Sequence, residues 1–199
     1  MHVTHELELF PEYSVTQMLF TDVKNAAALR KSAMEGQING ALINPAMVRA
    51  LSADSASARR PLSLKVRISP QLVDPFQALV AANKAVHLQK AGKMKTRSLL
   101  SEIIFNLSPT NNISEAFRRF GMSDGDGAVH VVTVHPREDM SDVDTILARV
   151  EGRQVPVGEI STFTDVPGIK KLYKVTPSEE KCGSLLEAVV CRMAVKDVV

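Results

Sequence analysis

Residues 128–134, AVHVVTV, restrict the fold of this chain more than any other stretch. Rich in valine and bounded by glycine and proline, they read as a strand at the centre of a sheet. Partners for it come from the start of the chain. HVTHELEL alternates polar and apolar residues, and SVTQMLF follows after the turn Pro11-Glu12, so a hairpin is expected there. INGALINP is short and apolar, a buried connection or brief strand.

Between and beyond these strands the pattern turns helical. Asp22 is placed to cap a helix over Ala26 to Met34 that stops at Gly36. Val73-Asp74-Pro75 sets aspartate at N-cap and proline at N1, announcing a helix to about Ala91 that ends at Gly92. SLLSEIIFNLS fits helix or strand, with helix favoured, because periodicity alone does not separate them. Asn112 and Glu115 resemble a capping box for ISEAFRRF, and Ser141 is expected to cap a helix through Val150. A shorter helical piece surrounds Ile169 to Tyr173. From Glu179 to Ala194, residues Cys182, Leu185, Leu186, Val189, Val190 and Met193 follow one apolar face. The result is an α+β fold, a small mostly antiparallel sheet packed with several helices.

A chain of 199 residues fits a single domain. One segment stands apart: residues 49–70 carry small residues, serines, four arginines and two prolines without sustained period, and are expected to form a flexible insertion. No apolar run approaches the ~18 residues of a membrane span, so a soluble intracellular protein without membrane contact is expected. Cys182 and Cys191 fall on opposite sides of one helix and read as reduced thiols.

Catalytic and metal motifs fail on inspection. Ala91-Gly92-Lys93-Met94-Lys95-Thr96 glances at a phosphate loop, but methionine stands where Ser or Thr would meet magnesium. SDGDG lacks the glutamate of a calcium loop, since the twelfth position from Asp124 is His135. His130 and His135 point to opposite faces of one strand, which suits structural or surface histidines rather than metal ligands. No nucleophile elbow or carboxylate pair appears. No cofactor is therefore expected.

The net charge of +2 is too mild to announce nucleic-acid binding, so the argument rests on local clustering. NKAVHLQKAGKMKTRS, residues 83–98, holds Lys84, Lys90, Lys93, Lys95 and Arg97, with no acidic residue between Asp74 and Glu102. On a helical wheel Asn83, Lys84, His87 and Lys90 share one sector, so the helix starts in the core and emerges polar. Two accounts stay open: cations that complement a helix C-terminus, or a groove that grips phosphates.

These same residues carry a resemblance. VDPFQALVAANKAVHLQKAGKMKTRSLLSEIIFNLSPTNNISEAFRRFG, the opening THELELFPE with DVKNA, MEGQINGALINP and CRMAVKDV are similar, in that order, to the CGI-121 family. Its members are kinase-binding subunits of the KEOPS complex, also called EKC. The resemblance covers nearly the whole chain as a CGI-121-like domain over 1–199. It departs at residues 49 to about 71, which the vertebrate pattern lacks, running from INP almost directly to VDPF.

The resemblance implies a non-catalytic role: binding the atypical kinase PRPK and, through it, the catalytic threonylcarbamoyl transferase subunit. It implies support of threonylcarbamoyl modification of adenosine next to the anticodon in transfer RNA, help in holding the 3′ CCA end, and a place in cytosol and nucleus. The implied RNA-binding residues are Lys84, Lys90, Lys93, Lys95 and Arg97, with Asn111 and Asn112 at a helix N-terminus suited to phosphate. The implied kinase-binding residues are Leu185, Leu186, Val189, Val190 and Met193, which could equally be core. A protein-only adaptor that regulates the kinase without touching RNA is the alternative.

Overall fold

A computed structural model describes residues 1–45 and 72–197. The flexible insertion expected over about 49–71 lies outside the described residues. Five strands are described, β1 Val3–Glu6, β2 Tyr13–Thr21, β3 Ala41–Ile43, β4 Ala128–Pro136 and β5 Arg153–Val155. The α-helices are α1 Ala26–Met34, α2 Pro75–Lys90, α3 Leu99–Leu107, α4 Ile113–Phe120, α5 Ser141–Arg149, α6 Val166–Tyr173, α7 Pro177–Cys182 and α8 Leu185–Val195. A 3-10 helix spans Val157–Phe163.

The sheet is antiparallel in every pairing and runs β1-β2-β4-β3, with β5 sharing β2's outer edge beyond β1. The expected hairpin is β1 against β2, and AVHVVTV lies inside the sheet between β2 and β3. Alternation along β2 and β4 divides the core. Val15, Leu19, Val132 and Val134 join α2, α3, α6 and α8 on one face. Met18, Phe20, Val129 and Val131 join α1 and α5 on the other. With both faces covered, these strands have no polar side to show, which explains a run of valines instead of a clean alternation.

Helix α2 inverts the usual size distribution. Its core face is Ala78, Ala81, Ala82 and Ala85 with Gln77 and Val86, whereas Phe76 is 50% exposed. Four alanines keep that face flat against the core. Asp74 caps it, accepting from the Phe76 amide at 2.8 Å, and Gly92 supplies the left-handed residue beyond its end (φ +65°). SLLSEIIFNLS is helical, as favoured, and Ser98 caps it.

Several local expectations are corrected. Asp22 does not cap α1, because its own backbone is left-handed (φ +56°). Asn25 precedes the helix instead, and its amide ties α1 to the end of α5 through Arg149 O at 2.8 Å and Glu151 N at 3.1 Å. Ser141 is the first residue of α5, not its cap; its amide donates to Asp139 at 3.0 Å. Asn112 caps α4, but the Glu115 carboxylate turns to Arg119 at 2.8 Å rather than back to the N-cap. The helix expected from Glu179 to Ala194 breaks at Gly183, because Thr176 with Glu179 and Ser184 with Glu187 form two separate capping boxes. Cys182 is therefore exposed and off the apolar face, and Cys182 and Cys191 are both free thiols.

His130 and His135 are both structural. His135 pairs with Thr16 at 2.8 Å, while His130 is wholly buried opposite Leu19 and Ile43 without a hydrogen-bond partner. Burial pushes the His130 imidazole down to about 3. The folded chain thus holds it neutral where the unfolded chain protonates it, so stability is full above about pH 6.5 and declines as pH falls toward 3. A His130→Leu chain should lose less stability than wild type between pH 7 and pH 4, by on the order of 3 kcal/mol. Urea unfolding at both pH values measures this difference.

Candidate functional site

The basic stretch begins where α2 leaves the core. Lys84 lies at its edge, donating to the Met193 carbonyl at 3.2 Å and pairing with Asp197 at 2.6 Å. Lys90 pairs with Glu12 and lies 5.2 Å from the Phe10 ring centre and 5.4 Å from that of Tyr13. Lys95 reaches the same Asp197 carboxylate at 2.7 Å and the Asn111 side-chain oxygen at 3.2 Å. Lys93 and Arg97 are exposed, with no side-chain partner among the described residues.

Lys84, Lys95 and Asn111 are therefore brought together, around an acid at the end of α8. Asn111 also donates to the Lys196 carbonyl at 2.8 Å. Asn112 is committed elsewhere, accepting from Glu115 N at 3.0 Å as the cap of α4. Lys90 belongs to a separate cluster at the β1–β2 turn.

The loop between α2 and α3 is shaped by a buried acid. One Glu102 oxygen accepts from the Lys95 amide at 3.1 Å, the Thr96 amide at 2.8 Å and the Thr96 hydroxyl at 2.6 Å. A carboxylate that binds successive amides fixes a loop as a backbone turn would, which explains a glutamate inside an apolar helix. Below it Lys196 is buried, donating to Phe105 O at 2.5 Å with its nitrogen 3.6 Å from that ring's centre. Burial first, and then the charge of Lys84, lower the Lys196 amine to about 7. At Asp197, burial acts to raise the pKa, but hydrogen bonds from Lys84 and Lys95 outweigh it and hold the carboxyl below its ordinary range.

The apolar stripe of α8 divides. Val189 and Met193 are buried and Leu185 packs on the same core, so three of the five kinase candidates face inward. Leu186 and Val190 are half-buried on the next flank. Missing from the sequence-based set were Glu12, Glu102, Lys196 and Asp197. Glu102 had a signal in its position amid apolar residues, whereas the pairing of Asp197 with cations 102 or more residues away had none. Among the described residues no His, Cys, Asp and Glu group could hold a metal ion, and no helix is long and apolar enough to cross a membrane.

The geometry defines an α+β domain whose last described helix keeps a half-open apolar flank and is followed by an acid held between two lysines. The family model described as kinase binding protein CGI-121 matches residues 68–197. The EKC/KEOPS complex subunit TPRKB of Danio rerio is 60% identical over 198 residues, covering 100% of this chain and 99% of its own. The subunit cgi121 of Aspergillus terreus is 32% identical, covering 83% of this chain and 79% of its own. The subunit CGI121 of Phaeosphaeria nodorum is 28% identical, covering 90% and 84%. The chain belongs to the CGI-121 kinase-binding-protein family.

Replacing Glu102 by alanine leaves two loop amides and a hydroxyl without their acceptor. The variant should lose about 1–3 kcal/mol of stability. Amide exchange at Lys95 and Thr96, followed by NMR, should speed up more than exchange in β4.

Proposed function

We propose that this chain is a non-catalytic subunit of an EKC/KEOPS complex. It docks on a PRPK-type atypical kinase and through it joins the catalytic threonylcarbamoyl transferase subunit. In that assembly it supports threonylcarbamoyl modification of transfer RNA and helps hold the 3′ CCA end, in cytosol and nucleus. The observation that carries the reading is the relationship along the full chain to a subunit named for that complex.

Two features of the surface support its two halves. Leu186 and Val190 offer a flank of α8 that the core leaves half-open. Lys93, Lys95 and Arg97 project from a loop whose backbone Glu102 holds in place, which presents cations without a large ordering cost on binding. Aromatic residues make up only 5% of the chain, so binding of single-stranded RNA leans on phosphates rather than on a stacking platform.

Leu186→Asp should abolish co-purification with the kinase while thermal unfolding stays near wild type; intact kinase binding would refute the helix interface. Changing Lys93, Lys95 and Arg97 together to alanine should weaken binding of a CCA-ended RNA. The log–log salt dependence should become shallower by ~0.7 for each phosphate that the variant no longer neutralises. RNA affinity and salt slope equal to wild type would favour a protein-only adaptor instead.

A further inference from the structure

The carboxylate of Asp197 sits where an oxyanion ligand would be held. Lys84 from α2 and Lys95 from the following loop approach different oxygens of it, Oδ2 at 2.6 Å and Oδ1 at 2.7 Å. Asn111 reinforces the arrangement from the start of α4, orienting Lys95 through its oxygen and holding the Lys196 carbonyl through its nitrogen. Two ammonium groups spanning two oxygens of one tetrahedral or trigonal anion is the pattern that also recognises phosphate.

We propose that Asp197 is an internal stand-in for a phosphate. Its carboxylate closes an oxyanion site formed by Lys84 and Lys95, and it leaves when a phosphodiester or polyphosphate binds. RNA as the source of that phosphate rests on the function proposed above, whereas the displaceable carboxylate stands on the geometry.

Displacement is cheap enough to occur. Asp197 follows the last turn of α8, and the side chains of Lys84, Asp197 and Lys95 are 23%, 27% and 45% exposed. All three side chains keep contact with water, so solvent can take up the charge of the carboxylate when it leaves. The tethered acid nevertheless acts at an effective concentration on the order of millimolar. Free phosphate at lower concentration therefore loses the competition, while a ligand with several phosphates that also reaches Lys93 or Arg97 wins it. Removing the acid leaves Lys84 and Lys95 facing each other without a counter-charge, which an incoming anion relieves. The device thus filters for polyanions over single phosphates.

The test uses the full chain as wild type, Asp197→Asn and Asp197→Ser, with Asp144→Asn on α5 as a control for lost charge. Tripolyphosphate and a fluorescent CCA-ended RNA are titrated into each over a range of salt. Both Asp197 variants should bind tripolyphosphate about 5- to 10-fold tighter than wild type, against less than about twofold for the control. Both should also bind the RNA more tightly than wild type, with a salt slope close to that of wild type, because the same phosphate is neutralised once the acid has left. Adding Lys84→Met and Lys95→Met should erase the gain. Tripolyphosphate affinities within about twofold of wild type, or a gain that survives removal of both lysines, overturn the proposal. Tighter tripolyphosphate binding without RNA binding by any variant keeps the displaceable carboxylate and rejects RNA as its ligand.

Discussion

The pairing of β2 with β4 is the constraint on which the rest of the molecule depends. Nine consecutive residue pairs, from Tyr13 with Pro136 to Thr21 with Ala128, join two strands far apart in sequence. Their side chains are buried on both faces, so neither strand is stable until helices cover both. That requirement sends α1 and α5 to one side and α2, α3, α6 and α8 to the other. The basic stretch inherits its place from this division, because it starts where α2 runs off the edge of the covered face. His130 shows the tension within the arrangement: a titratable group sits inside the ladder, tolerated only while neutral.

What could be read in the sequence was local. The limits of α2 were legible because Asp74 and Gly92 act on residues a few positions away, whereas α3 was only favoured over a strand and its cap, Ser98, shows in the structure. The central position of β4 was legible from its valines. The break at Gly183 was hidden because the apolar spacing continues across it, and two nearby capping boxes outweigh one extended stripe. Strand β5, three residues long, exists through its ladder with β2 and leaves almost no pattern of its own. Asp22 and Ser141 suit an N-cap chemically, but the backbone left-handed at one and already helical at the other removes the geometry a cap needs.

The candidate surfaces were legible as inventories and not as states. Periodicity lined up Leu185, Leu186, Val189, Val190 and Met193, but what covers each depends on how α8 lies on α2 and α6. Rotation about the helix axis gives Val189 and Met193 to the core and leaves Leu186 and Val190 half-open. The five cations behaved alike in sequence because their acids are remote: Glu12 lies 78 residues from Lys90, and Asp197 lies 102 from Lys95. No helical wheel or local charge count contains those pairings.

Pairing changes what the basic stretch can do at a distance. Lys84 and Lys95 share one carboxylate, Lys90 has another, and burial draws Lys196 toward neutrality near pH 7. Among the described residues, the stretch that reads as five positive charges therefore presents two uncompensated ones, Lys93 and Arg97. Two exposed charges act over roughly a Debye length of 8–10 Å in physiological salt, so they cannot steer a nucleic acid from afar. If the chain binds a polyanion as proposed, its affinity comes from groups that touch the ligand, and Lys84 and Lys95, both now paired with Asp197, are such groups. On the proposed reading, the described residues of this stretch add contact with an anion already in place more than attraction over distance.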